Sequence, residues 1–251
     1  MAYTIKVRTK NYSARPLRKS ISAPCRTIAR LGSLTPTSRI FPRGMELGRR
    51  IVEINTVEAI ENSRDKAKTK LCFEEDDIPQ AVYYPFSADT DEIEFPIVVK
   101  RRIGFQGRGM QKIDNADDLK QFIDSHNMDD YIIEKFYNYA REYRLHCTQH
   151  ECFMAWRKLR REDAEVRWFF NSSNCNWVGP DHELFNKPNN WDDIENDCIR
   201  AIKSVGLDIG AVDCRVSTDG KYIVLEVNSA PALGEYGIEK YKEQLHKLAH
   251  A

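Results

Sequence analysis

The stretch AVDCRVSTDGKYIVLEVNSAPAL, Ala211 to Leu233, sets two apolar runs on either side of a Thr218-Asp219-Gly220 turn signal. That is the pattern of a β-hairpin. Its open ends bring Asp213 on the first strand to face Glu226 and Asn228 on the second, and Glu226 and Asn228, two apart, share a face. Three hard oxygen donors on one sheet surface suit Mg²⁺, which keeps several waters and is completed by phosphates of a substrate. The plainer alternative is that Asp213 and Glu226 are solvated strand positions. Their neighbours Val212, Val224, Leu225 and Val227 argue for a buried strand pair, where an unpaired carboxylate is costly and a bound cation would remove that cost.

Working outward, the 251 residues are 41% hydrophobic and 30% charged, which fits a globular chain, as one domain of two lobes or as two small domains, and excludes a disordered one. No apolar run reaches the roughly 18 residues of a membrane helix, and no secretory h-region follows the basic N-terminus. The seven cysteines are scattered without C-x-x-C spacing, as expected of reduced thiols, and the expected location is cytoplasmic. Net charge is zero, yet Lys6 to Arg50 is basic with only Glu46 opposing, and Glu74 to Glu94 is acidic. The basic opening reads either as an arm for nucleic acid or an acidic partner, or as a solvated, partly mobile edge.

Residues 1–50 mix short β-like pieces, such as Tyr3 to Val7, with Pro, Gly and Ser, and are too irregular for a complete nucleotide-binding domain. One helix is expected from Thr56 to about Glu75, capped by Asn55 or Thr56, with Asp65 and Lys66 inside it. Phe95 to Lys100 is an apolar strand ending in lysine, followed by a loop rich in glycine, with Gly104, Gly107 and Gly109. Glycine at that density allows the close backbone approach of a phosphate cradle, although a plain hairpin turn looks the same. A helix is expected over Asp114 to Asn127, then a buried strand, Tyr131 to Phe136, holding Glu134 and Lys135.

Arg141 to Cys147 places Glu142 and Arg144 on one face, and a turn at Thr148 to Glu151 leads to a return strand, Cys152 to Trp156. His146, Cys147, His150 and Cys152 invite a zinc reading, but their spacing fits no common zinc module, so they read as ordinary hairpin side chains. The run Arg157 to Arg161 reads largely as a solvated charge run, and Asn171 to Asn176 as loop. Helices are expected over Trp191 to Val205 and, exposed and amphipathic, over Gly237 to Ala249.

Read in order, a Lys66 helix, a strand ending in Lys100, a glycine loop, Glu134-Lys135-Phe136, Glu142-x-Arg144 and Asp213…Glu226-x-Asn228 resemble the ATP-grasp superfamily over residues 55–235. Within it the chain resembles the branch of glutamate ligases that act on protein or peptide carboxylates, in a compact, phage-like form. The resemblance implies an α+β fold of two lobes gripping ATP: a short basic segment at 1–54, an N-terminal lobe at 55–133 and a C-terminal lobe at 134–251.

It further implies that Asp213, Glu226 and Asn228 hold Mg²⁺, with Mn²⁺ as a substitute, and that Lys66 and Lys100 contact phosphate. The loop Gly104 to Gly109 would close over the phosphates, Glu134, Lys135 and Phe136 would meet adenine through the main chain, and Glu142 the ribose. Arg144 and Lys158 would approach the γ-phosphate or the acyl group, as the catalytic pair. The implied reaction joins a carboxylate to an amine of an amino acid, peptide or protein through an acyl phosphate, and a homo-oligomer is compatible with it. A binding-only nucleotide or nucleic-acid module and an ATP-grasp kinase are the alternatives. Two departures from the family pattern bear on the acceptor: the short N-terminal segment, and Asn171-Ser-Ser-Asn-Cys175 where paired glycines are expected.

Overall fold

The computed structural model describes residues 3–18, 21–42, 50–85, 92–171 and 173–251. Parts of the basic Lys6 to Arg50 stretch, of the acidic Glu74 to Glu94 stretch and of the Asn171 to Cys175 loop lie outside them. The N-terminal segment forms β1 (Tyr3–Thr4), β2 (Lys6–Thr9), β3 (Ser22–Ala23), β4 (Arg26–Leu31) and β5 (Ile51–Ile54). β2, β4 and β5 make a parallel sheet in that order, and β1 pairs with β3. This segment is more regular than its Pro, Gly and Ser content suggests, because Ile5, Val7, Ile28, Ala29, Leu31 and Ile54 are buried. Of its basic residues Lys6, Arg8, Lys10, Arg15 and Arg18 are exposed, whereas Arg30 is wholly buried, donating to Glu53 at 2.7 Å and to the Asn55 carbonyl at 3.3 Å.

The expected single helix is two, α1 (Val57–Arg64) and α2 (Lys66–Glu75). Asp65 breaks it. Its backbone is extended, its carboxylate accepts from Ala67 N–H at 3.0 Å as the cap of α2, and the same carboxylate accepts two bonds from Arg102 at 3.2 and 2.7 Å. A side chain that caps and pairs at once favours the break over helix continuation. Thr56 rather than Asn55 caps α1; Asn55 is buried at φ 58° and binds Arg30 O, Ile209 O and the Asp208 and Ile209 amides.

A four-stranded sheet follows: β6 (Tyr83–Tyr84), β7 (Ile97–Arg101), β8 (Gln111–Ile113) and β9 (Tyr131–Lys135), with α3 (Ala116–Ser125) ahead of β9. Its order is β6-β9-β7-β8, all antiparallel, and its core joins Ile97, Val99 and Ile133 to Leu119 and Phe122 of α3. The five-stranded sheet has β10 (Arg141–Thr148), β11 (Cys152–Arg160), β12 (Cys175–Val178), β13 (Ile209–Val216) and β14 (Tyr222–Asn228), in the antiparallel order β12-β11-β10-β13-β14. The Thr218 to Gly220 turn is where expected, and Gly220 takes φ 90°.

Alternation on β10 sorts its residues by face. Tyr143, Leu145 and Cys147 pack with Ile194, Cys198 and Ile202 of α4 (Trp191–Ser204), while Glu142, Arg144 and His146 face the cleft. α5 (Glu235–His250) is not an exposed helix. Ile238, Tyr241, Leu245 and Ala249 are core, packed with Ile5, Leu17, Leu31 and Ile209.

Candidate functional site

The two larger sheets enclose a cleft of about 1030 Å³. β7 contributes Val98 and Lys100, the start of α2 contributes Lys66, and the loop after β7 contributes Gly104 to Arg108. From the five-stranded sheet come Glu142, Arg144, His146, Lys158, Asp213, Arg215, Glu226 and Asn228.

Five of these charges form a checkerboard across β11, β10 and β13. Register sets Glu142 opposite both Lys158 and Arg215, and Arg144 opposite Asp213. Arg144 grips Asp213 through two bonds of 2.7 Å, and Lys158 lies 2.6 Å from Glu142 and 3.0 Å from Asp213. Arg215 donates to Glu142 at 2.8 Å. Burial pushes the Asp213 carboxyl up, but Arg144 and Lys158 outweigh it and hold it well below the usual range. Burial likewise opposes the charge on Lys158 and Arg144, and the facing carboxylates more than restore it. The ring of Trp177 lies over both cations, at 5.1 Å from Arg144 and 5.3 Å from Lys158.

Lys158 overturns the reading of Arg157 to Arg161 as a largely solvated run. β11 continues through Arg160, so this segment alternates between faces, and Lys158 is buried on the cleft side.

The predicted oxygen donors are brought together unevenly. Asp213 and Glu226 are direct cross-strand partners, but both Asp213 oxygens are taken by Arg144 and Lys158. The Glu226 side chain is 37% exposed, its nearest cation being Lys66 at 3.9 Å. The Asn228 amide nitrogen lies 3.3 Å from Glu226, leaving its carbonyl oxygen without a partner among the described residues. Glu226 and Asn228 therefore fit a hard cation as they stand; Asp213 joins them only by releasing a cationic partner.

A second cluster is buried on the cleft-side face of the four-stranded sheet, where Glu134 is the cross-strand partner of Val98. Glu134 binds Lys100 in a short ion pair and Lys70 at 3.1 Å, with its side chain 3% exposed. Burial pushes this carboxyl up, and Lys100 and Lys70 override it, holding it down at about 2. Lys70, which sequence reasoning missed, has its own pKa lowered by burial, against the pull of Glu134. The signal was its place beside Phe73 on the buried side of α2.

The Lys135 amide N–H donates to Val82 O at 2.8 Å and that of Phe136 to Pro96 O at 2.9 Å, so both amides are paired within the protein. The Lys135 side chain leaves the cleft for Glu94, whereas the Phe136 ring lines it. Lys66 Nζ donates to Gly104 O at 3.2 Å. Gly107, at φ 71°, lies so near Phe169 that a Cβ would sit 2.5 Å from its ring. Here the glycine loop meets the aromatic loop that follows β11.

Arg215, Trp177 and Phe169 were also missed as site residues. Arg215 was detectable as the same-face neighbour of Asp213, two residues on. Of the candidate zinc set, His146 and Cys147 point to opposite faces, and Thr148 N–H to Glu151 O at 2.9 Å closes an ordinary turn.

Two sheets closing on a cationic cleft define the ATP-grasp fold class. A D-alanine–D-alanine ligase from Bacillus anthracis solved with ATP superposes with a TM-score of 0.62 at 14% identity, covering 89% of this chain and 78% of that one. A biotin carboxylase from Campylobacter jejuni, solved as a βγ-ATP complex, gives 0.60 at 16%, over 89% and 54%. An L-amino acid ligase from Bacillus licheniformis gives 0.59 at 17%, over 85% and 50%. The RimK-like ATP-grasp domain matches residues 61–246, and the chain belongs to that family. In sequence it is 23% identical over 182 residues to the D-alanine–D-alanine ligase of Alcanivorax borkumensis, covering 69% of this chain and 57% of that protein's length. Among the described residues no helix is long and apolar enough to cross a membrane.

Proposed function

We propose that the protein is an ATP- and Mg²⁺-dependent carboxylate–amine ligase. One observation carries this reading: Lys66 and Lys100 from one side and Arg144, Lys158 and Arg215 from the other converge on a single cleft beside the open pair Glu226 and Asn228. Around that cleft cations outnumber the carboxylates that bind them, a charge balance suited to a polyphosphate. Glu226 and Asn228, joined by Asp213, would hold the divalent ion, which supplies charge neutralisation at the phosphates.

Lys66, Lys100 and the Gly104 to Gly109 loop orient the phosphates. Phe136 offers an apolar wall to adenine, and Glu142 accepts from the ribose. Arg144 and Lys158, held in place by Asp213 and Glu142, face the transferred group. A carboxylate oxygen attacks the γ-phosphorus as ADP leaves. The amine nitrogen then forms the C–N bond to the acyl carbon as phosphate departs. Such a transfer needs positioning and charge stabilisation rather than a protein nucleophile.

The test is ADP release over a panel of amino acids and peptides, with mass spectrometry of the products. Amide formation supports the ligase, phosphorylated carboxylate without amide marks a kinase, and lack of ATP binding in Mg²⁺ sinks both. Glu226→Gln and Asn228→Ala should each abolish turnover with the circular dichroism spectrum unchanged, and full activity in both would refute the metal assignment.

A further inference from the structure

One buried titratable group on the cleft face has no part in that scheme. His146 follows Arg144 by two residues on β10 and is 2% exposed, and its Nδ1 lies 3.0 Å from the Tyr241 hydroxyl of α5. Tyr241 is fully buried, and among the described residues its hydroxyl has no other partner. A buried O–H left without an acceptor is costly, so the hydroxyl donates and Nδ1 accepts. A neutral imidazole that accepts at Nδ1 carries its proton on Nε2. Burial, seconded by Arg144 and opposed by Asp213, holds the His146 pKa down at about 3, so the ring is neutral at ordinary pH. Nε2 has no hydrogen-bond partner among the described residues, and the ring is part of the cleft wall.

Around His146 the chemistry of the cleft changes. Met154 is its cross-strand partner, and Trp156, Leu233, Tyr236 and Gly237 continue the surface, with Lys10 of the N-terminal segment at the rim. The N-terminal segment is fastened here by Asn11 to Ala230 O at 3.2 Å and by Leu233 N–H to Ser13 Oγ at 3.0 Å. This end lies toward the Thr148 terminus of β10 and is walled mostly by carbon.

We infer that His146, locked by Tyr241, is a positioning residue whose Nε2–H donates to a carboxylate or carbonyl oxygen of the organic substrate, and that this end of the cleft takes an amino acid or peptide with an apolar side chain. The inference deepens the ligase reading and rests on it for the word substrate; the tautomer does not.

The test uses the full chain labelled with ¹⁵N-histidine, with long-range ¹H–¹⁵N spectra and His146 assigned from a His146→Phe sample. The expected result is a neutral ring protonated on Nε2, and in Tyr241→Phe a mixture of both tautomers. An Nδ1–H tautomer in the unsubstituted chain overturns the inference. In the second arm a non-hydrolysable ATP analogue and Mg²⁺ are present. L-phenylalanine or L-leucine should then shift the Nε2–H signal, with affinity about tenfold weaker in Tyr241→Phe, while L-aspartate leaves it in place. No shift with either apolar amino acid, or an equal one with L-aspartate, overturns the substrate class. Binding of the analogue, followed separately by calorimetry, tests the ligase reading, and its failure leaves the tautomer result standing.

Discussion

Two buried ionic clusters flank the cleft, and they differ in where their surplus charge points. Glu134 is shared by Lys70 and Lys100 between α2 and the four-stranded sheet, with Lys70 and Glu134 almost wholly buried. In the five-stranded sheet Asp213 and Glu142 are shared among Arg144, Lys158 and Arg215 on the cleft surface itself. Each has one cation more than its carboxylates. In the first, only Lys100 reaches the cleft; in the second, all five side chains line it. The Glu134 cluster thus serves chiefly to hold α2 against β7 and β9, and the Asp213 cluster to keep Arg144 and Lys158 aimed at a ligand.

The largest effect should come from the cleft-facing cluster. Arg144→Ala removes a preorganised donor and should lower the rate of ADP release by about 10²- to 10³-fold. It also leaves Asp213 facing Lys158 alone, so denaturant unfolding must be measured beside the kinetics. A loss of stability without a loss of rate would put Arg144 in the same class as Lys70 and erase the contrast. Next in size, Glu134→Gln leaves two buried lysines without a carboxylate and should cost roughly 3 kcal/mol in a urea titration. Its kcat at a temperature where the variant is folded should stay within about threefold, since a shift of that size is well under 1 kcal/mol.

The acid limb of stability separates the clusters further. The folded pKa of Glu134 is depressed from 4.5 to about 2. Its contribution is therefore fully present above pH 4.5 and is lost as the pH falls toward 2, because the unfolded chain takes up the proton first. This amounts to roughly 3 kcal/mol across that window. Asp213, lowered from 3.8, adds to the loss at still lower pH. Glu134→Gln should flatten the upper part of the pH-stability curve, and an unchanged curve would contradict the assignment.

These clusters were unequally legible in the sequence. The strand carrying Glu226 and Asn228, the hairpin turn at Gly220 and the shared face of Glu142 and Arg144 follow from period-two alternation, which acts locally. Lys70 was hidden because a lysine on a helix ordinarily reads as solvent-facing, and only the arrival of Glu134 from β9 makes its burial tolerable. Lys158 was singled out by the resemblance alone, because five consecutive residues rich in charge resemble a solvated run until a strand sorts them into two faces. The break at Asp65 needed Arg102, which is distant in the chain. The N-terminal parallel sheet needed its whole set of partners, since parallel pairing leaves no hairpin signal in the sequence. His146 read as an ordinary hairpin residue until α5 placed Tyr241 beneath it.

The smallest effect concerns the contact that joins the two sides. Gly107 belongs to the loop of the four-stranded sheet and Phe169 to a loop of the five-stranded one, and a Cβ on Gly107 would fall 2.5 Å from the Phe169 ring at a φ of 71°. Gly107→Ala must therefore push the loops apart or twist its own backbone, at a cost of about 1 kcal/mol. If the loops close over the phosphates, that cost falls on the closed state, and the KM for ATP should rise about fivefold with global stability nearly unchanged. Phe169→Ala relieves the clash but not the dihedral cost, so the double variant should recover only part of the loss. Additive effects in this cycle would mean that the loops act independently, and that the clusters on either side of the cleft are not coupled through them.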